Sequence, residues 1–169
     1  MNALITMYLN SGCVEDASKV FNRMTKRDVV SWNALIAGYA QHGHGEEALK
    51  FYCQMQHTGA RQDKFTFSSV LRACASLAAL EQGNQIHAQI VQTGFLMDAF
   101  VGSAIVYMYG KCGVLEYACK VFNEISIQCT VSWNAMIVGY AQHGYCKKSL
   151  QLFEKMQGSG MKLDHIMEM

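Results

Sequence analysis

Charge is scarce in this sequence, proline is absent, and no two cysteines stand at C-x-x-C spacing. Each gap excludes something. Only 16% of the residues are charged against 51% hydrophobic, a balance that argues against disorder and for a substantial buried interior. The formal charge of +1 creates no strong field, so a nucleic-acid partner would have to be held mainly by shaped contacts. The seven cysteines, at 13, 53, 74, 112, 119, 129 and 146, are odd in number and lack zinc or dithiol spacing. They read as free thiols in a reduced compartment, and Cys74 and Cys119, set beside alanines, pack as small hydrophobes. No apolar run approaches a membrane span, and Met1-Asn2-Ala3-Leu4 carries none of the regions of a targeting peptide.

What the chain does have is a copy of itself. Val30-Ser31-Trp32-Asn33-Ala34-Leu35-Ile36-Ala37-Gly38-Tyr39-Ala40-Gln41-His42-Gly43 returns 101 residues later, from Val131 to Gly144, with 12 of 14 positions identical. At the same offset Ala17-Ser18-Lys19-Val20-Phe21-Asn22 is echoed by Ala118-Cys119-Lys120-Val121-Phe122-Asn123. Duplication at a fixed period is the mark of a repeat array. Because Met1 falls inside a repeat, the sequence reads as a piece of a longer protein.

Apolar periodicity divides the 101 residues into units of 35, 35 and 31: 29–63, 64–98 and 99–129, with 130–164 beginning the cycle again, a partial unit at 1–28 and a tail at 165–169. Each unit carries two stripes at i, i+3, i+4 and i+7 spacing, separated by a glycine-containing turn. In the first full unit they are Trp32, Leu35, Ile36, Tyr39 and Ala40, then Ala48, Phe51, Tyr52 and Met55. In the last unit the second stripe is Ser149, Leu152, Phe153 and Met156. Helices this short are marginal alone, so the hairpins must stack, and the fold is all-α, an α-solenoid of helix-turn-helix repeats.

Three motif types alternate: Val-Ser-Trp-Asn-Ala, then Cys74-Ala75-Ser76-Leu77 with Gln85-Ile86-His87-Ala88, then Met108-Tyr109-Gly110-Lys111-Cys112-Gly113. In this order and with these unit lengths, the chain resembles the pentatricopeptide repeat proteins, and among them the land-plant subgroup alternating standard, long and short repeats. The resemblance implies a right-handed solenoid that binds single-stranded RNA in mitochondria or chloroplasts, one repeat to a base. It places base selection at Asn2 with Asp28, Asn33 with Asp63, Ser68 with Asp98, Ser103 with Cys129, and Asn134 with Asp164. It makes Val30, Phe65, Phe100 and Val131 the clamps beside each base and Lys111 a phosphate contact. An Asn and Asp pair then favours uracil, and a Ser and Asp pair guanine.

The same resemblance implies a role in specifying cytosine-to-uracil editing sites, with a deaminase and other editing proteins supplied in trans. Without a paired C-x-x-C to hold zinc, the chain is not expected to be an enzyme or to carry a cofactor or metal. Two departures from the family weaken RNA contact. Gln62 and Leu163 stand where proline often precedes the terminal Asp, and Gln41, Ser76 and Gln142 replace the backbone-contacting lysine. The alternative is a protein-interaction scaffold of tetratricopeptide type, or an inactive gene fragment; a strict 34-residue period would favour the scaffold.

Other conspicuous residues have plainer readings. Trp32 and Trp133 sit on the apolar stripe and belong in the core rather than under bases. His42, His44 and His143 lack the companion ligands of a metal site. His87 is a hydrogen-bonded core histidine, and Lys147-Lys148 a solvated face.

Overall fold

A computed structural model describes residues 1–125 and 127–159 of the chain. Among them the structure is helical throughout, with no strand. The helices are α1 (Asn2–Asn10), α2 (Val14–Asn22), α3 (Val29–Gln41), α4 (Gly45–His57), α5 (Lys64–Ser76), α6 (Leu80–Thr93), α7 (Ala99–Lys111), α8 (Leu115–Glu124), α9 (Thr130–Gln142) and α10 (Cys146–Gly158), with a 3-10 turn at Phe95–Met97. No helix of the described residues is long and apolar enough to cross a membrane.

Aspartates set three of the helix starts. Asp28, Asp63 and Asp98 hold extended backbone at the N-caps of α3, α5 and α7, and each carboxylate accepts a first-turn N–H of its helix. Each cap contributes about 1 kcal/mol by satisfying a donor the helix cannot satisfy itself. Cys129 begins α9 and makes no such side-chain bond.

The turns inside the hairpins need a left-handed residue. Gly43 and its counterpart Gly144 supply it, with φ of 80° and 81°. A glycine was expected in every turn, but between α5 and α6 the position belongs to Ala78, at φ 49°. The motif Leu77-Ala78-Ala79 therefore turns by accepting strain at a methyl-bearing residue.

The chain divides into two compact units, Met1–Ile86 and the part from His87 onward, with the division inside α6. In the first, α3 lies between α1 and α5, and α4 also packs on α5. Phe21 of α2 meets Trp32 of α3 edge to face, with centroids 4.6 Å apart. Trp32, Leu35, Ile36, Met55, Phe67 and Leu71 are all buried, as the apolar stripes require.

The second unit repeats this arrangement. There α7 packs on α8 and α9, and Phe122 meets Trp133 at 4.8 Å in the same edge-to-face manner. The echo at 101 residues thus preserves an aromatic joint between one hairpin and the next. Burial falls short of the sequence pattern at two places. On α10 only Met156 of the expected stripe is fully buried, because α4 is covered by α5 whereas α10 packs chiefly on α9. Cys74 is buried as expected, but Cys119 is only half-buried.

Candidate nucleic-acid interface

Asn33 lies in the second turn of α3, half-buried, and its Nδ2 donates to Asp63 Oδ1 at 2.9 Å. The carboxylate that caps α5 therefore also holds an amide on the preceding hairpin's first helix. Thr66, fully buried three residues into that cap, completes the cluster. Its N–H donates to Asp63 Oδ1 at 2.9 Å, the Asp63 N–H donates to its hydroxyl oxygen at 3.1 Å, and the hydroxyl stands 2.6 Å from Asn33 Oδ1 and 3.0 Å from Asp63 Oδ1. The signal for this cluster in the sequence is Asp63-x-x-Thr66, a capping box immediately before an apolar-periodic run.

The pair Asn2 and Asp28 has the same layout with looser geometry. Asn2 Nδ2 donates to both Asp28 oxygens at 3.3 and 3.4 Å. The Ser31 N–H, donating at 2.8 Å, holds the Asp28 carboxyl below its ordinary value of 3.8, against the opposing effect of burial. The Ser31 hydroxyl turns to the Asp28 carbonyl at 2.7 Å, and Asn2 Oδ1 is buried with no hydrogen-bond partner.

Ser103 and Cys129, in the second unit, also meet: Oγ and Sγ are 3.3 Å apart, while the Ser103 hydroxyl donates to the Ala99 carbonyl at 2.6 Å. Ser68 lies half-buried on α5 of the first unit. Asp98 belongs to the second unit, where it caps α7 through the N–H groups of Phe100 and Val101. Asn134 is half-buried on α9, and Asp164 lies outside the described residues.

The four residues expected to clamp bases are large, apolar and yet more than half exposed or close to it: Val30 57%, Phe65 54%, Phe100 50% and Val131 54%. Each occupies the first turn of a first helix, where the interior does not need it. Lys111 ends α7 with its ammonium 5.7 Å from the Tyr107 ring.

The histidines serve packing. His42 Nε2 lies 2.6 Å from the Leu9 carbonyl oxygen and His143 Nε2 lies 2.9 Å from that of Gly110. A carbonyl can only accept, so both rings carry the proton on Nε2. His44-Gly45-Glu46 matches the H-x-E half of a zinc deaminase signature, but His44 packs edge-on to Tyr39 and no cluster of three metal-ligating groups occurs among the described residues. His87 Nδ1 is 3.0 Å from the Tyr109 hydroxyl.

Comparison with known proteins gives a consistent result. Models of the pentatricopeptide repeat match residues 1–29, 27–76 and 131–161. A pentatricopeptide repeat-containing protein of Arabidopsis thaliana is 45% identical over 168 residues, and the chloroplastic protein CRR2 of the same plant is 46% identical over 162. These alignments take in 98% and 95% of this chain, which spans about a quarter of either relative's length, 24% and 25%. The crystal structure of pentatricopeptide repeat protein PPR10 with an 18-nucleotide psaJ RNA element superposes with a TM-score of 0.78 at 18% identity. That superposition covers 98% of this chain and 26% of the other, and it fixes the fold as an array of helical hairpins.

Proposed function

The chain belongs to the pentatricopeptide repeat family, and on that premise we propose that it binds single-stranded RNA base by base within a longer organellar protein. The alternation of 35, 35 and 31 residues supports a place in the subgroup with standard, long and short repeats, and with it a role in marking cytosines for editing. Catalysis then comes from a deaminase acting with it. RNA in the PPR10 complex and the chloroplastic relatives support this reading by kinship.

One observation carries it: Asn33 and Asp63, 30 residues apart, are joined at 2.9 Å on a half-buried surface flanked by exposed Val30 and Phe65. The cap of α5 accounts for the carboxylate, but not for the amide that it holds on the preceding hairpin. The Asn33 amide keeps an N–H and a lone pair for a pyrimidine edge, while apolar side chains offer the faces between which a base can lie. Asn2 with Asp28 repeats the arrangement, and the sequence spacing supplies a third Asn and Asp pair in Asn134 with Asp164. The preferred sequence from 5′ to 3′ is U, U, G, any base, U.

Three well-read bases contribute about 1 to 3 kcal/mol each, so the gross gain is about 3 to 9 kcal/mol. Micromolar binding needs about 8 kcal/mol, and the chain alone should therefore bind weakly. With a charge of +1, its affinity should also fall only gently with salt. Fluorescence anisotropy with the oligonucleotide UUGAU and with its adenosine-only counterpart tests the reading. Preference for the first supports it; equal binding of both contradicts it. Submicromolar affinity would show that the Ser68 and Ser103 repeats also contribute to binding.

A further inference from the structure

We infer that Thr66 is a positioning residue that sharpens the choice of uracil over cytosine which Asp63 sets in the repeat at 29–63, by holding the second end of the Asn33 amide, an inference that rests on the RNA-binding reading above. The geometry fixes which way the Asn33 amide faces. With its NH2 group turned away from Asp63, the amide oxygen would lie 2.9 Å from a carboxylate oxygen, two acceptors in contact, so Nδ2 must face Asp63. That leaves Oδ1 toward the Thr66 hydroxyl at 2.6 Å, the shorter of the two acceptor distances open to its single proton. Both ends of the amide are thus held.

Holding both ends matters because uracil and cytosine present opposite orders of donor and acceptor on the same edge. Uracil offers a carbonyl acceptor beside the N3–H donor; cytosine offers an amino donor beside the N3 acceptor. An amide free to turn over serves either base. An amide that cannot turn serves only one. Threonine suits the task because its β-branch restricts χ1 and its hydroxyl is wholly buried.

The other repeats show what happens without it. Ser31, at the corresponding place, gives its hydroxyl to the Asp28 carbonyl at 2.7 Å, and Asn2 Oδ1 is left buried and unpartnered. Ser132 likewise turns to the Cys129 carbonyl at 2.8 Å. The 29–63 repeat should therefore discriminate between the pyrimidines more sharply than the 1–28 repeat.

The experiment measures dissociation constants of the 169-residue chain for oligonucleotides with U or C at one position, the position being the one whose preference changes in Asn33→Ser. Thr66→Val should reduce the U-to-C ratio there by roughly three- to tenfold, the scale of one net hydrogen bond, leaving the ratio at the neighbouring base unchanged. Thr66→Ser, which keeps the hydroxyl and is the milder change, should retain part of the ratio and serves if the valine variant does not fold. A residue that only stabilises the fold would weaken U and C equally, and an unchanged ratio in both variants overturns the inference. A wild-type chain with no base preference at any position overturns the RNA-binding reading itself.

Discussion

His42 donates from Nε2 to the Leu9 carbonyl, 33 residues earlier, across 2.6 Å, so the end of α3 is tied to the last turn of α1. His143 ties α9 to α7 in the same way through the Gly110 carbonyl. Each carbonyl already accepts a backbone N–H from the turn that closes its helix, Gly12 N–H on Leu9 and Gly113 N–H on Gly110, and the histidine takes the remaining lone pair. His42→Ala should lower stability by about 1 kcal/mol, and His42→Gln by less, since glutamine still offers an N–H. Urea unfolding checks this; equal stability of wild type and His42→Ala would mean the tie contributes nothing.

Helices α1 and α3 approach closely enough at Gly38 that a Cβ there would fall within the Leu9 side chain, 2.8 Å from its Cγ. Gly38→Ala should cost about 1 to 3 kcal/mol through overpacking. Adding Leu9→Ala in the same chain should recover part of that loss, so that the two changes are less damaging together than their separate costs predict. Strict additivity in thermal or urea unfolding would contradict the contact.

Ala78 holds φ 49° in an exposed turn. Removing its Cβ relieves about 1 to 2 kcal/mol of left-handed strain but restores about 0.5 to 1 kcal/mol of unfolded-state entropy. Ala78→Gly should therefore raise stability slightly, by about 0.5 to 1 kcal/mol. A lower unfolding midpoint for this variant would show the strain to be absent.

Much of the fold was legible because helix periodicity is a local signal. Trp32, Leu35, Ile36 and Tyr39 lie on one face whatever they touch, and the glycine at 43 and 144 marks its own turn. The matched pairs Phe21–Trp32 and Phe122–Trp133 explain why both echoes share one offset. What the sequence leaves illegible depends on residues distant along the chain. Nothing near His42 points to Leu9, nothing near Asn33 points to Thr66, and the half-exposure of the α10 stripe reflects which helix covers it. The N-cap role of Asp28, Asp63 and Asp98 is legible from their place before an apolar-periodic run, and it shares those side chains with their expected part in base selection.

Burial holds the His87 imidazole below its ordinary 6.5, with Glu124 opposing the effect. The unfolded chain then takes up the proton first. The contribution of the neutral ring to stability is complete above about pH 6.5 and is lost as pH falls through that value toward the lower one of the folded state. Between pH 7 and 5, wild type should lose stability more steeply than His87→Asn, a difference that cancels the shared titration of other groups. Parallel slopes would contradict the burial of an uncharged ring.

The most direct measurement compares wild type and Asn33→Ser against oligonucleotides carrying each of the four bases at one position. The paired Asn33 and Asp63 predict that the wild-type preference for uracil at a single position moves to guanine in the variant, with the neighbouring positions unaffected. An unchanged preference at every position would contradict the assignment of Asn33 and Asp63 as a base-reading pair.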